Sequence, residues 1–332
     1  PVLVERQRGH PHRGPHAGTG RISQITCGSP VERDFAMGIL IDEKTRVIVQ
    51  GITGREGSAR AAYMKGYGTN VVAGCTPGRG CTEVSGIPVY NTVEEAVEAH
   101  GPLDASVIFV PGPALKDAVL EAVDAGIKFI VAPVERVPLH DILEMVSIAK
   151  RAGAKLLGPG AIGIITVGKA VLGWLGATPQ WARTVFVPGP VGVISRSGGQ
   201  SGTIPWAIRE AGLGMSTVLH VGTEPVTGLS MGEILPLFEE DRETRAVGVF
   251  GEIGGPHEEE AAQCIREKKF TKPLVIFIAG AWAPPGMRFS HASSIIERGK
   301  GSAQSKIEAL REAGAHVVER PEHIAPTLKK LI

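Results

Sequence analysis

Short apolar runs alternate with longer stretches whose apolar residues recur at helical spacing. Residues 46–50 (RVIVQ), 71–74, 106–110 (SVIFV), 128–132 (KFIVA) and 155–157 read as buried strands. Residues 58–65, 114–125 and 139–152 read as helices, as does the segment that Thr92 caps with Glu95 three residues later. This alternation predicts βαβ units wound right-handedly on a parallel sheet. Residues 158–190 break the rhythm with many Gly and Pro and weak periodicity, so a boundary is expected there between domains 37–165 and 166–332. The pattern then restarts. Strands are expected at 191–195 (VGVIS), 217–221, 246–250 and 274–278, and helices near 230–240, 258–268 and 303–313. A strand at 316–318 and a helix running to Leu331 close the chain. The fold class is α/β, a Rossmann-like first domain followed by a flavodoxin-like second.

Composition narrows the function. The chain of 332 residues is 43% hydrophobic and 21% charged, enough for two cored domains. Its 35 basic and 34 acidic residues leave a net charge of +1, which gives no global pull toward nucleic acid or a membrane surface. No apolar run approaches the roughly 20 residues of a membrane span. Four scattered cysteines, with no Cys-x-x-Cys pair, read as thiols of a cytoplasmic protein rather than a zinc site. Forty-four glycines suit many tight strand-to-helix turns. Residues 1–36 are rich in Gly, Pro, Arg and His and lack periodicity. They read as a poorly ordered basic extension upstream of a start at Met37. Glu5, Glu32 and Asp34 argue against a transit peptide, and His10, His12 and His16 are too loosely spaced for a metal site.

Six strand ends carry candidate chemistry. The turn 51–57 (GITGREG) follows a strand and opens a helix, where backbone N–H groups and the helix dipole hold an anion. Its G-x-x-G-x-x-G spacing is not the dinucleotide fingerprint, and no ribose-binding acid sits about 20 residues on. A structural turn and a ligand site both remain open there. The next strand ends in TPGRG (76–80), where Arg79 supplies a cation that is either a phosphate contact or a solvated charge. Pro111 lies in a flat lip, VPGP (110–113), and Glu135 is either a helix cap or a ligand contact. In the second half, SRSGGQSG (195–202) combines hydroxyls, small residues and a helix start, which suits an anion cradle better than a serine nucleophile. Glu252, in GEIGG, is either a partner for a catalytic imidazole or a solvated loop carboxylate.

The stretch 279–302 (AGAWAPPGMRFSHASSIIERGKGS) is a long connection between a strand and an amphipathic helix. A loop of that length in an α/β domain usually has a function. His291 sits in it among Ser290, Ala292, Ser293 and Ser294. An isolated histidine is ordinarily a plain surface or core residue. Here the long loop, the small neighbours, the cradle and the acid favour a nucleophile that carries a phosphoryl group.

In order along the chain, VIVQGITGREG, AGCTPGRG, SVIFVPGP, VISRSG, GEIGG, TKPLVIFIAG and GMRFSHASSIIERGKGSA resemble the α subunit of succinate–CoA ligase. The resemblance runs from Met37 to the C-terminus. It implies a first domain that binds coenzyme A, with contacts at Gly51, Thr53, Gly54, Arg55, Gly57, Arg79, Pro111 and Glu135. It implies a phosphohistidine at His291 oriented by Glu252, with Ser195, Ser197, Gly198 and Gly199 as the phosphate cradle. It also implies a partner β subunit of ATP-grasp type holding ATP or GTP with magnesium, in a heterodimer or heterotetramer. No metal is expected on this chain. With no ATP-grasp domain or Walker A motif here, the chain is expected to be inactive alone.

Several segments depart from the family pattern. The family usually has Gly-His-Ala-Gly-Ala at Ser290–Ser294, lysine at Arg79, Gly-Pro-Asn-Cys-Pro-Gly at 158–163 (GPGAIG), Gly-Ile-Gly-Gly-Asp-Pro at 220–225 (HVGTEP) and Ser-Gly-Thr-Leu at 197–200 (SGGQ). The 197–201 segment looks more like ATP-citrate lyase and citryl-CoA synthetase, which widens the acid from succinate to malate or citrate. A catalytically silent CoA-binding module and, from the fold alone, an NAD-dependent dehydrogenase are the readings from other classes.

Overall fold

The computed structural model describes residues 39–282 and 301–332. The first sheet grows from β1 (Val47–Gln50), and the chain then runs through α1 (Arg55–Tyr67), β2 (Val71–Cys75), β3 (Thr82–Val84), β4 (Ile87–Tyr90) and α2 (Val93–His100). It continues with β5 (Ala105–Ile108), α3 (Leu115–Asp124), β6 (Phe129–Val131), α4 (Leu139–Arg151) and β7 (Lys155–Leu157). Strand order is β3-β4-β2-β1-β5-β6-β7, parallel except for β3 against β4. β1 and β5 are buried at every position, as strands covered by helices on both faces must be. The chain leaves β1 toward β2 on one side, while β5 lies on the other. The carboxyl ends of β1 and β5 therefore flank a topological switch point, the usual place for a ligand in such sheets.

The second sheet takes β8 (Gly163–Thr166), β9 (Ala170–Gly173), α5 (Pro179–Val185), β10 (Pro188–Ser195), α6 (Gln200–Glu210), β11 (Met215–His220), α7 (Met231–Glu240) and β12 (Ala246–Glu252). It ends with α8 (His257–Arg266), β13 (Leu274–Ala279), α9 (Ala303–Ala313), β14 (His316–Val318) and α10 (Ile324–Leu331). Its order is β14-β13-β12-β10-β11-β8-β9. The first five strands are parallel, and β8 and β9 form an antiparallel edge on β11. The second switch point lies between β10 and β12, where Ser195 pairs with Phe250; Glu252 ends β12 and pairs with Ala279 of β13 on the other side. Among the described residues, no helix is long and apolar enough to cross a membrane.

Both halves are thus mixed α/β sheets, and most expected strands and helices are present. The differences have local causes. The β3–β4 hairpin is short, and residues 158–190 hold β8, β9 and α5. Gly163 and Gly173 interrupt the apolar runs of those two strands within the Gly- and Pro-rich stretch, so they do not stand out as strands. α1 starts at Arg55, because Gly54 supplies an extended N-cap. Thr92 caps α2 by accepting from the Glu95 N–H at 3.1 Å, but the Glu95 carboxylate takes the N–H of Asn91. Residues 1–36 and His291 lie outside the described residues.

Candidate active site at two switch points

At the first switch point, Gly51 leaves β1 at φ +77°, its N–H donating to Cys75 O at 2.7 Å. A side chain at Gly51 would collide with Phe109 O, and one at Gly57 with Gly51 O. The turn can close only with glycine at both places. Gly54 caps α1 without a side chain, so the amino end of this 13-residue helix faces outward through backbone alone. The Thr53 N–H donates to Thr76 Oγ1 at 3.4 Å, which links the turn to the end of β2. Arg55 is 95% exposed, and Arg79 and Pro111 are exposed too. A glycine turn at a helix start with two exposed cations nearby is an arrangement that can hold the phosphate groups of an extended ligand.

Glu135 is placed differently. It is exposed, and its carboxylate accepts from Thr223 Oγ1 at 3.1 Å. The next N–H, that of Arg136, donates to the buried Glu224. Glu135 thus meets the 220–225 segment of the second half. Sequence reasoning also missed an aromatic platform beside Pro111. Trp174 stacks on Phe109 with centroids 6.4 Å apart, and the Arg60 guanidinium lies 5.9 Å from the Trp174 ring. Only the tertiary path of the β9–α5 connection brings Trp174 there.

At the second switch point, the turn after β10 is ordered by its own hydroxyls. Ser195 Oγ donates to Ser197 O at 2.8 Å and accepts from the Ser197 N–H at 3.1 Å. Ser201 Oγ donates to the same carbonyl at 2.9 Å. Ser195 is buried and braces the turn from beneath. Ser197 and Gly198 are partly exposed and Gly199 is exposed, at the amino end of α6, which no side chain caps. His220 ends β11 beside Ser195, and its Nδ1 accepts from the Ile162 N–H at 3.0 Å. This ties two of the segments that depart from the family pattern.

Glu252 is no solvated loop carboxylate. It is the last residue of β12 and is 2% exposed. Beneath it lies a buried ion cluster that sequence reasoning did not anticipate. Arg196 Nη1 lies 3.2 Å from both Glu258 carboxylate oxygens, and Lys306 Nζ lies 2.6 Å from Glu258 Oε2 and 2.5 Å from Glu259 Oε2. Arg196, Glu258 and Lys306 are fully buried. Burial pushes the Glu258 carboxyl up, but Arg196, Lys306 and His257 outweigh it and hold it down at about 2. His257, buried beside them, is driven down to about 3, first by burial and then by Arg196. Its Nδ1 accepts from the Met231 N–H at 3.4 Å, so the ring proton sits on Nε2, 3.3 Å from Thr227 Oγ1. One signal was present in the sequence. Lys306 falls on the apolar stripe of α9 with Ala303 and Leu310, where a lone lysine needs buried partners.

Residues 42–135 match the CoA binding domain family, and residues 194–316 match the CoA-ligase family. The chain is 49% identical over 296 residues to succinate–CoA ligase [ADP-forming] subunit alpha 2 of Archaeoglobus fulgidus, covering 89% of this chain and all of that one. The chain belongs to the succinate–CoA ligase α subunit family. It is also 43% identical over 296 residues to an ADP-forming sulfoacetate-CoA ligase subunit of Bilophila wadsworthia, covering 89% of this chain and all of that subunit. ATP citrate lyase of Methanothrix soehngenii, solved with citrate and coenzyme A, superposes with a TM-score of 0.78 at 25% identity. That match covers 88% of this chain and 51% of the lyase chain, so this chain spans about half of the lyase. As a CoA-ligase family subunit the chain is part of an acid–thiol ligase, which displaces the dehydrogenase reading. The relatives' subunit naming implies a partner subunit.

Proposed function

We propose that this chain is the α subunit of a nucleoside-diphosphate-forming ligase that joins a small carboxylic acid, succinate first, to coenzyme A through a phosphohistidine. The observation that carries the reading is the pairing of two switch points in one chain. One offers a glycine cradle with outward cations, and the other a helix-start cradle beside the buried carboxylate Glu252. An ATP-grasp partner in a cytosolic heterodimer or heterotetramer would hold ATP or GTP with magnesium.

In this reading His291 attacks the γ-phosphoryl group and the nucleoside diphosphate leaves. Glu252 orients the imidazole and stabilises its positive charge. The N–H groups at the start of α6, with Ser197, Gly198 and Gly199, hold the phosphoryl oxygens. His291 then passes the phosphoryl group to the acid, forming an acyl phosphate and regaining a neutral ring. The coenzyme A thiolate attacks the acyl carbon, and inorganic phosphate leaves. Gly51, Thr53, Gly54, Arg55, Gly57, Arg79 and Pro111 bind the coenzyme, with Glu135 at the far rim against Thr223. Each transfer is a displacement in which positioning and fixed dipoles supply the catalysis.

Sulfoacetate is the second reading for the acid. It is favoured by the relative named for that acid and by the altered 158–163, 197–200 and 220–225 segments, which meet where Ile162 bonds His220, Gly160 lies against Thr223 and Gly198 lies against Ile162. A ligation assay with the co-expressed partner, offered succinate, malate, citrate and sulfoacetate, tests the assignment. Succinate turning over fastest supports the first reading, sulfoacetate the second. Incubation with γ-labelled ATP separates an enzyme from a silent CoA-binding module. An acid-labile, base-stable label that His291→Ala abolishes is the expected result. Glu252→Gln should slow labelling by roughly 10²–10⁴-fold, the range of a positioned acid–base group; an unchanged rate would remove Glu252 from the mechanism.

A further inference from the structure

We infer that Arg196, Glu258 and Lys306 are positioning residues for phosphoryl transfer, holding the 195–199 turn, the backbone of Glu252 and the first turn of α9 in one fixed arrangement. This rests on the phosphohistidine reading above. Arg196 directly follows Ser195, so its backbone belongs to the cradle turn, and its N–H donates to Phe250 O at 2.9 Å. Its Nη1 lies 2.9 Å from Glu252 O and 2.8 Å from Gly254 O. Glu258 Oε1 accepts the Glu252 N–H at 3.0 Å. Both peptide groups of Glu252 are thus gripped, one by the cation and one by the anion of the same pair. A Cβ on Gly251 would come 2.9 Å from Glu258 Oε1, so the strand before Glu252 is pared down to let that carboxylate in.

The third arm reaches the chain that follows residues 283–300. Lys306 donates to Gly255 O at 2.8 Å as well as to Glu258 and Glu259. The Gly254 N–H donates to Gly301 O at 2.8 Å. Residues 301–306 are therefore fixed to the same Glu258 that fixes Glu252. Burying such charges costs desolvation that an apolar filling of equal volume would not, so fold stability alone does not call for them. Charged hydrogen bonds in a dry interior specify direction and distance, which a displacement reaction needs and a core does not.

The test uses the full chain with its partner subunit and γ-labelled ATP, following the rate of histidine labelling by rapid quench and coenzyme A binding by titration. Lys306→Met should slow labelling on the order of 10²-fold, the cost of misplacing reacting groups by about 1 Å. Coenzyme A affinity should stay within about twofold, since binding and chemistry are separable. Lys306→Arg should recover most of the rate. Labelling that is unchanged, or that falls only in step with coenzyme binding and folded fraction, overturns the inference. Should Lys306→Met not fold, Arg196→Lys takes its place, because it keeps a cation for Glu258 but loses the guanidinium that spans Glu252 O and Gly254 O. Slower labelling with unchanged coenzyme binding in that variant upholds the inference, and an unchanged rate defeats it. An unlabelled wild-type complex would instead sink the phosphohistidine reading itself, together with all that rests on it.

Discussion

The two switch points share a topology and differ in where they keep their charge. The first is a backbone device. Its glycines shape the turn, and its cations, Arg55 and Arg79, stand in solvent. Exposed charges are screened and contribute little to folding, so they are available to a ligand. The second buries Arg196, Glu258 and Lys306 under the turn that faces the site. There the charges are committed to each other and to the backbone before any substrate arrives. An open cradle suits a long, flexible substrate held at many points, and a preset one suits a short displacement at a single atom.

Substitutions can break this contrast. The largest effect on folding is expected from Glu258→Ala, which strands Arg196 and Lys306 in the interior. It should cost about 3–5 kcal/mol by urea unfolding. A loss no greater than that of the exposed Glu135→Ala would mean the two sites do not differ in this way. Gly51→Ala comes next. Its φ of +77° and the collision with Phe109 O should cost about 1–3 kcal/mol and weaken coenzyme A binding together.

Acid offers a finer test. His257 titrates near 3 in the folded chain against an ordinary 6.5, so below pH 6.5 the unfolded chain takes up a proton that the native one refuses. Its contribution is complete above pH 6.5 and is lost as pH falls toward 3. The slope should approach about 1.4 kcal/mol per pH unit. Glu258, held at about 2 against an ordinary 4.5, adds a loss of the same sign below pH 4.5. Urea midpoints between pH 6.5 and 4.5 should therefore fall more steeply in the native sequence than in His257→Asn. The smallest effect on the fold belongs to Arg79→Ala. It should leave the melting temperature unchanged while coenzyme A affinity drops roughly tenfold, the worth of one charge-assisted contact. A shifted melting temperature would give Arg79 a structural role.

What the sequence determined by itself is local. Apolar runs fixed most strands, because a parallel strand covered on both faces must be apolar throughout. Glycines at 51 and 57 and the SRSGG segment marked tight strand-to-helix turns, because few other residues allow a backbone to close that tightly. The quoted motifs carried the family. β8 and β9 escaped, because Gly163 and Gly173 interrupt their apolar runs inside the Gly- and Pro-rich break, where α5 lay hidden too.

Tertiary structure decided what depends on distant segments meeting. Thr223 takes the Glu135 carboxylate across 88 positions, and Trp174 stacks on Phe109. Arg196, Glu258 and Lys306 come from the end of β10 and the first turns of α8 and α9. Each alone reads as an ordinary charge near a helix or strand end. Only strand order brings them to one point, where water is excluded and each charge must answer another.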